Sequence, residues 1–108
     1  MIPNIPNIEH PERYGAFDLP KEKLDYALGE AIKKIDFALP TFTLDFPEHA
    51  SVNNVYPAVK NNSGWNTGFW TGILWHAYQL TGDEKYKKVA LGQIPGYYER
   101  IKNKIGVD

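Results

Sequence analysis

The twenty residues GWNTGFWTGILWHAYQLTGD, Gly64 to Asp83, decide the fold. No charge interrupts them before Asp83, and Phe69, Trp70, Ile73, Leu74, Trp75, Ala77, Tyr78 and Leu80 surround a helical axis instead of lining one stripe. The spacing predicts a helix from about Gly68 to Thr81, with Thr67 or Asn66 as N-cap and Gly82 as a left-handed stop. A helix that is apolar all round must be buried on every side.

Its neighbours in sequence are amphipathic. Upstream, Leu24, Ala27, Leu28, Ala31, Ile32, Ile35 and Leu39 recur at three- and four-residue steps, with Lys21, Glu22, Lys33 and Lys34 opposite, so a helix is expected from Lys21 to Leu39. Pro20 suits its first turn and Pro40 stops it. Downstream, Asp83 caps a third helix, about Glu84 to Lys104, whose inner stripe reads Tyr86, Val89, Ala90, Ile94, Tyr97 and Ile101. Gly92, Pro95 and Gly96 are expected to kink or loosen its middle. Residues 40–66 hold three prolines, five asparagines, Tyr56 and Trp65 with no sustained period, which reads as a long, packed, ligand-facing connection. Residues 1–20 carry four of the eight prolines and read as an extended arm.

Two amphipathic neighbours cover about half of the central helix, and each large side chain left in water costs roughly 1.5–3 kcal/mol relative to burial. The expectation is that residues 21–108 form the N-terminal part of a larger all-α domain, with the remainder of the parent polypeptide as cover. The alternative is a stand-alone helical module that binds carbohydrate or protein without catalysis.

Composition narrows the chemistry. Twelve basic against thirteen acidic residues give a net charge of −1, so nucleic acid and anionic membranes are disfavoured as partners. There is no cysteine, hence no thiolate metal site or cysteine nucleophile, and a reducing, cytoplasmic setting is the expectation. The opening residues lack the basic-then-apolar order of a secretory signal. His10, His49 and His76 do not share metal-ligand spacing, so no metal or cofactor is expected. Asp18, Asp25, Asp36, Asp45, Asp83 and Asp108 form no evident pair of the kind glycoside cleavage uses, and Asp83 is better explained as a cap. The runs KEK, KK and EKYKK read as solvated helix faces.

The most distinctive candidate site is NNSGWNTGFW, residues 61–70. Its glycines permit close backbone approach, its asparagines offer donors and acceptors, and Trp65 precedes a helix whose N-terminal amides favour an anion. An aromatic platform beside amides suits the apolar C–H faces and polar rims of sugars, and a uronic acid adds a carboxylate. The competing explanation is that Trp65 anchors the loop on the core, as Trp is highly buried on average; Trp70 and Trp75, inside the helix, are read as core.

These residues carry a family resemblance. NNVYPAVKNNSGWNTGFWTGILWHAYQLTGDEKYKKVA, residues 53–90, resembles the N-terminal region of the unsaturated glucuronyl hydrolases, with their pattern W-x-x-G-F-W-x-G-x-L-W-x-x-Y-x-x-T-G-D-x-x-Y. Here the pattern falls on Trp65, Gly68, Phe69, Trp70, Gly72, Leu74, Trp75, Tyr78, Thr81, Gly82, Asp83 and Tyr86, and weaker similarity runs from Lys21 to Asp108. The resemblance implies an (α/α)6 toroid with its active site among loops at one mouth, the Gly68 helix being an inner one. It implies a glycoside hydrolase that releases a terminal 4,5-unsaturated uronic acid from glycosaminoglycan-derived oligosaccharides by hydrating the double bond. An Asp protonates that bond, water adds at the neighbouring carbon, and the resulting hemiketal opens. By alignment the family's catalytic Asp residues lie beyond Asp108, so no catalytic residue is expected here and the 108 residues alone are expected to be inactive. Trp65 matches an aromatic lining the family's sugar site. Pro95-Gly96 and Gln79, where an acidic residue is common, depart from the family.

Overall fold

The computed structural model describes residues 7, 9–13, 15 and 18–106. Three helices carry it: α1, Lys21–Ala38; α2, Thr67–Thr81; and α3, Glu84–Lys102. A two-strand antiparallel pair, β1 (Phe46–Pro47) with β2 (Ala58–Val59), lies between α1 and α2. Much of the expected N-terminal arm lies outside the described residues, which include there a 3-10 turn at Pro11–Arg13.

The helix ends follow from side-chain chemistry. The Pro20 carbonyl accepts from the amides of Lys23 and Leu24, and after Ala38 the amides of Thr41 and Phe42 return to the Ala38 carbonyl before the chain turns away. The α2–α3 link compresses three terminators into Thr-Gly-Asp. Thr81 donates its hydroxyl to the Ala77 carbonyl, Gly82 adopts φ +70° with its amide on the Tyr78 carbonyl, and Asp83 accepts from the Lys85 amide. Only a residue without Cβ adopts that φ at no steric cost, so the chain reverses in two residues and α3 packs back along α2.

The connection between α1 and α2 contains a hairpin that its lack of period concealed. Phe46 pairs with Val59 and Pro47 with Ala58, and further out Val52 and Val55 exchange backbone hydrogen bonds of 2.8 and 3.0 Å. Asn53 and Asn54, at φ +51° and +62°, form the tight turn. Two successive positive φ values belong to the turn whose twist matches antiparallel strands, and asparagine tolerates them better than most residues. Val-Asn-Asn-Val was the available signal.

The core gathers Phe42 and Phe46 from the connection, Trp70, Leu74 and Ala77 from α2, and Tyr86 and Ala90 from α3. Phe42 and Trp70 meet edge to face with ring centres 5.6 Å apart, and the Trp70 indole N–H donates to the Phe42 carbonyl at 2.9 Å. Gln93 donates to the same carbonyl at 3.0 Å and accepts from the Thr71 hydroxyl at 2.7 Å. A loop carbonyl taken from water between two helices must find donors, and these side chains supply them.

Two expectations are corrected. The stripe of α3 is Tyr86, Val89, Ala90, Gln93 and Tyr97, while Ile94 and Ile101 are exposed, Ile101 by 69%. The need to satisfy the Phe42 carbonyl draws a glutamine inward in place of the isoleucine beside it. On α1 only the C-terminal half of the stripe, Ile32, Ile35, Ala38 and Leu39, packs on the core. Leu24, Ala27 and Ala31 are exposed because nothing among the described residues lies against them. The α3 helix continues through Pro95; proline cannot donate to the Leu91 carbonyl, and both residues are exposed, leaving that carbonyl to water.

Candidate functional site

The loop ahead of α2 is tied down on both flanks. Asn66, the N-cap, spends its side-chain amide on the Pro47 carbonyl of β1 at 3.1 Å, binding the loop to the hairpin. Thr67 is buried, and its hydroxyl contacts the Asn62 amide oxygen and the Gly64 carbonyl. From α3, Arg100 reaches the Gly64 carbonyl at 2.7 Å and the Thr67 hydroxyl at 3.2 Å. Asn62 thus turns its oxygen toward two donors, and its Nδ2 is buried without a partner among the described residues.

Trp65 stands out from this anchored loop at 72% exposure. Its indole meets the Phe69 ring edge to face at 6.2 Å between centres and the His49 ring, also at 6.2 Å and tilted by 45°. Phe69 is itself 67% exposed in this chain, and hairpin, loop and first turn of α2 bring the rings of His49, Trp65 and Phe69 together. Among the described residues the loop is held by Asn62, Asn66 and Thr67, and the Trp65 indole is exposed. Trp70 fills the core at 6% exposure and Trp75 is half-buried, packed on that core.

Four of the acidic residues, Asp25, Asp36, Glu48 and Asp83, have structural employment. Asp36 on α1 accepts from the Tyr86 hydroxyl of α3 and pairs with Lys85 at 3.1 Å. The Tyr86 hydrogen bond, reinforced by Lys85, holds the Asp36 carboxyl below its ordinary value, and burial beside it pushes the Tyr86 hydroxyl up. Glu48 accepts from the His49 backbone amide and meets its ring nitrogen at 2.6 Å, which lowers the Glu48 carboxyl. Asp25 pairs with Lys21, and Asp83 caps α3. Asp108 lies outside the described residues. No two carboxylates face one another across a cleft in these contacts, and no group of three potential metal ligands occurs among the described residues.

Sequence reasoning singled out Trp65 but treated His49 as isolated and Phe69 as buried. Nothing in the local sequence brings His49 to Trp65, since the hairpin that does so is a long-range pairing. Phe69 is bare because three helices leave one side of α2 open.

No family model matches the chain. Among curated proteins it is 33% identical over 105 residues to the unsaturated chondroitin disaccharide hydrolase of Streptococcus pneumoniae, spanning 96% of this chain and 26% of that protein. It is 36% identical over 75 residues to the unsaturated glucuronyl hydrolase of Bacillus sp., spanning 69% of this chain and 20% of that one. Among solved structures, the unsaturated glucuronyl hydrolase of Streptococcus agalactiae superposes with a TM-score of 0.79 at 34% identity, covering 95% of this chain and 27% of that one. The chain matches the N-terminal part of the unsaturated glucuronyl hydrolases. It spans about a quarter of the length of the relatives it matches. Solved unsaturated glucuronyl hydrolases are helical toroids, and α1, α2 and α3 take their place in that architecture. A variant of the Streptococcus agalactiae unsaturated glucuronyl hydrolase was solved in complex with dGlcA-GalNAc6S.

Proposed function

We propose that the full-length protein containing this chain is a glycoside hydrolase that removes a terminal 4,5-unsaturated uronic acid from glycosaminoglycan-derived oligosaccharides, with residues 21–108 the first part of a single (α/α)6 catalytic domain. The observation that carries this reading is Trp65: a large indole held in water by an anchored loop, on a chain whose relatives are unsaturated chondroitin disaccharide hydrolases. Trp65 stacks against a sugar face and orients the substrate; its amide-rich neighbourhood suits hydroxyl groups. A catalytic Asp from outside these residues delivers a proton to C4 of the double bond, water adds at C5, and the hemiketal opens with release of the remaining sugar. Such an acid must hold its proton at working pH, which needs burial or a hydrogen bond to its neutral form. Asp25, Asp36, Glu48 and Asp83 are committed to pairs and a cap, and the reading assigns proton transfer to residues beyond this chain. No helix among the described residues is long and apolar enough to cross a membrane, and the cysteine-free composition supports a cytoplasmic setting.

The test follows the ultraviolet absorbance of an unsaturated chondroitin disaccharide. The full-length gene product should abolish it while residues 1–108 leave it unchanged. Binding of the disaccharide by the full-length protein with no loss of absorbance would overturn the hydrolase reading in favour of a binding module.

A further inference from the structure

Arg100 is the point where three segments at this end of the molecule converge. Its Nη1 faces the Gly64 carbonyl at 2.7 Å, the Thr67 hydroxyl at 3.2 Å and the Asn62 amide oxygen at 3.4 Å; its Nε donates to the Ile105 carbonyl at 3.0 Å and its Nη2 to the Gly106 carbonyl at 2.7 Å. All five acceptors are neutral oxygens, and all lie in the Trp65 loop, the first residue of α2 or the turn after α3. A planar fork with five N–H groups satisfies both sides at once; an ammonium on a flexible stem does not. The backbone is shaped to allow this approach. Gly106 has φ +55°, and a Cβ there would sit 2.7 Å from the Ser63 carbonyl and 3.0 Å from Arg100 Nη2. The loop tolerates an unpartnered Asn62 Nδ2 to keep its oxygen toward Arg100 and Thr67.

We infer that Arg100 is a positioning residue for the sugar platform: by clamping residues 62–67 against the 105–106 turn, it fixes the height and angle at which Trp65 meets substrate. This rests on the assignment of Trp65 to the sugar site under the proposed function. Arg100 touches no substrate and moves no proton, so its loss removes binding that is shared by ground and transition states.

The experiment is a double-mutant cycle in the full-length protein on an unsaturated chondroitin disaccharide, with Arg100→Ala, Trp65→Ala and the pair, and Arg100→Lys and Gly106→Ala as milder disturbances of the same clamp. Arg100→Ala should raise KM about tenfold and change kcat less than about twofold, the signature of lost uniform binding. In the Trp65→Ala background the same change should raise KM by less than about twofold, because the platform it positions is gone. Should Arg100→Ala fail to fold, Arg100→Lys and Gly106→Ala carry the same cycle, each raising KM only when Trp65 is present. Independent, multiplying effects of Arg100 and Trp65, or a fall in kcat with KM unchanged, would overturn the positioning role while leaving the Trp65 assignment intact. An unchanged KM in Trp65→Ala alone would overturn both.

Discussion

Trp65 and Trp70 stand five residues apart and face opposite environments, which makes them a matched pair for separating binding from folding. Trp70 donates its indole N–H to the Phe42 carbonyl and packs edge to face on the Phe42 ring, so truncation opens a large void and removes one of that carbonyl's two donors. Trp70→Ala should cost roughly 3–5 kcal/mol of stability in the full-length protein. Trp65→Ala removes an exposed platform whose loop is fastened by other residues, and should shift the melting temperature by only a few degrees while raising KM for the unsaturated disaccharide. Calorimetry and steady-state kinetics on the two variants decide the matter: equal destabilisation, with unchanged activity per folded Trp65→Ala molecule, would make Trp65 a core residue. The sequence separates these two tryptophans by position, one before a helix and one inside it. It does not show that Asn62, Asn66 and Thr67 hold the loop so that Trp65 need not, because those partners, Pro47 and Arg100, are distant in the chain.

At the scale of elements, what was legible is what depends on local chemistry. Pro20, Pro40, Gly82 and Asp83 mark helix ends whose hydrogen bonds are made within a few residues, and α1, α2 and α3 begin and end within about two residues of where those signals put them. The β1–β2 hairpin and the inward turn of Gln93 depend on partners up to fifty residues away, and no period announces them. The same holds for the contact joining α1 to α3, Tyr86 to Asp36, and its electrostatics make a prediction. The Tyr86 hydroxyl, then Lys85, depresses the Asp36 carboxyl below its ordinary value. A carboxyl whose folded pKa is lowered contributes stability above its unfolded pKa and loses that contribution as pH falls through the folded value. Asp36 is 42% exposed, so solvent screens the pair, and the Tyr86→Phe variant should lose about 1 kcal/mol at neutral pH. The deficit should shrink below about pH 4, as Asp36 protonates in folded and unfolded states alike. Urea unfolding of the full-length protein and the variant near pH 7 and pH 3 measures it, and a deficit independent of pH would show that Asp36 is not the partner that matters.

For the whole molecule, the decisive quantity is surface. A compact monomer of 12.3 kDa should expose about 6,100 Å². This chain exposes 9023 Å², and its radius of gyration of 17.5 Å exceeds the roughly 13 Å of a compact domain of this length. Part of the exposed surface is apolar and lies on α2 and α3. On α2, Trp70, Thr71, Leu74 and Ala77 are buried against neighbours, whereas Phe69, Ile73 and Leu80 face outward, and Ile94 and Ile101 of α3 are also bare. In the helical toroids it matches, the chain accounts for about a quarter of the polypeptide. Residues 1–108 alone should therefore bind a hydrophobic dye strongly or self-associate, because an inner helix with one side in water keeps a large contiguous apolar surface. The full-length protein should do neither, since the remaining helices cover that side. Dye fluorescence and sedimentation of the two polypeptides at equal molar concentration read this directly. A dye-free, monomeric 108-residue chain with a cooperative unfolding transition would mean that the bare side of α2 is stable in water, and the requirement for further protein against it would fall.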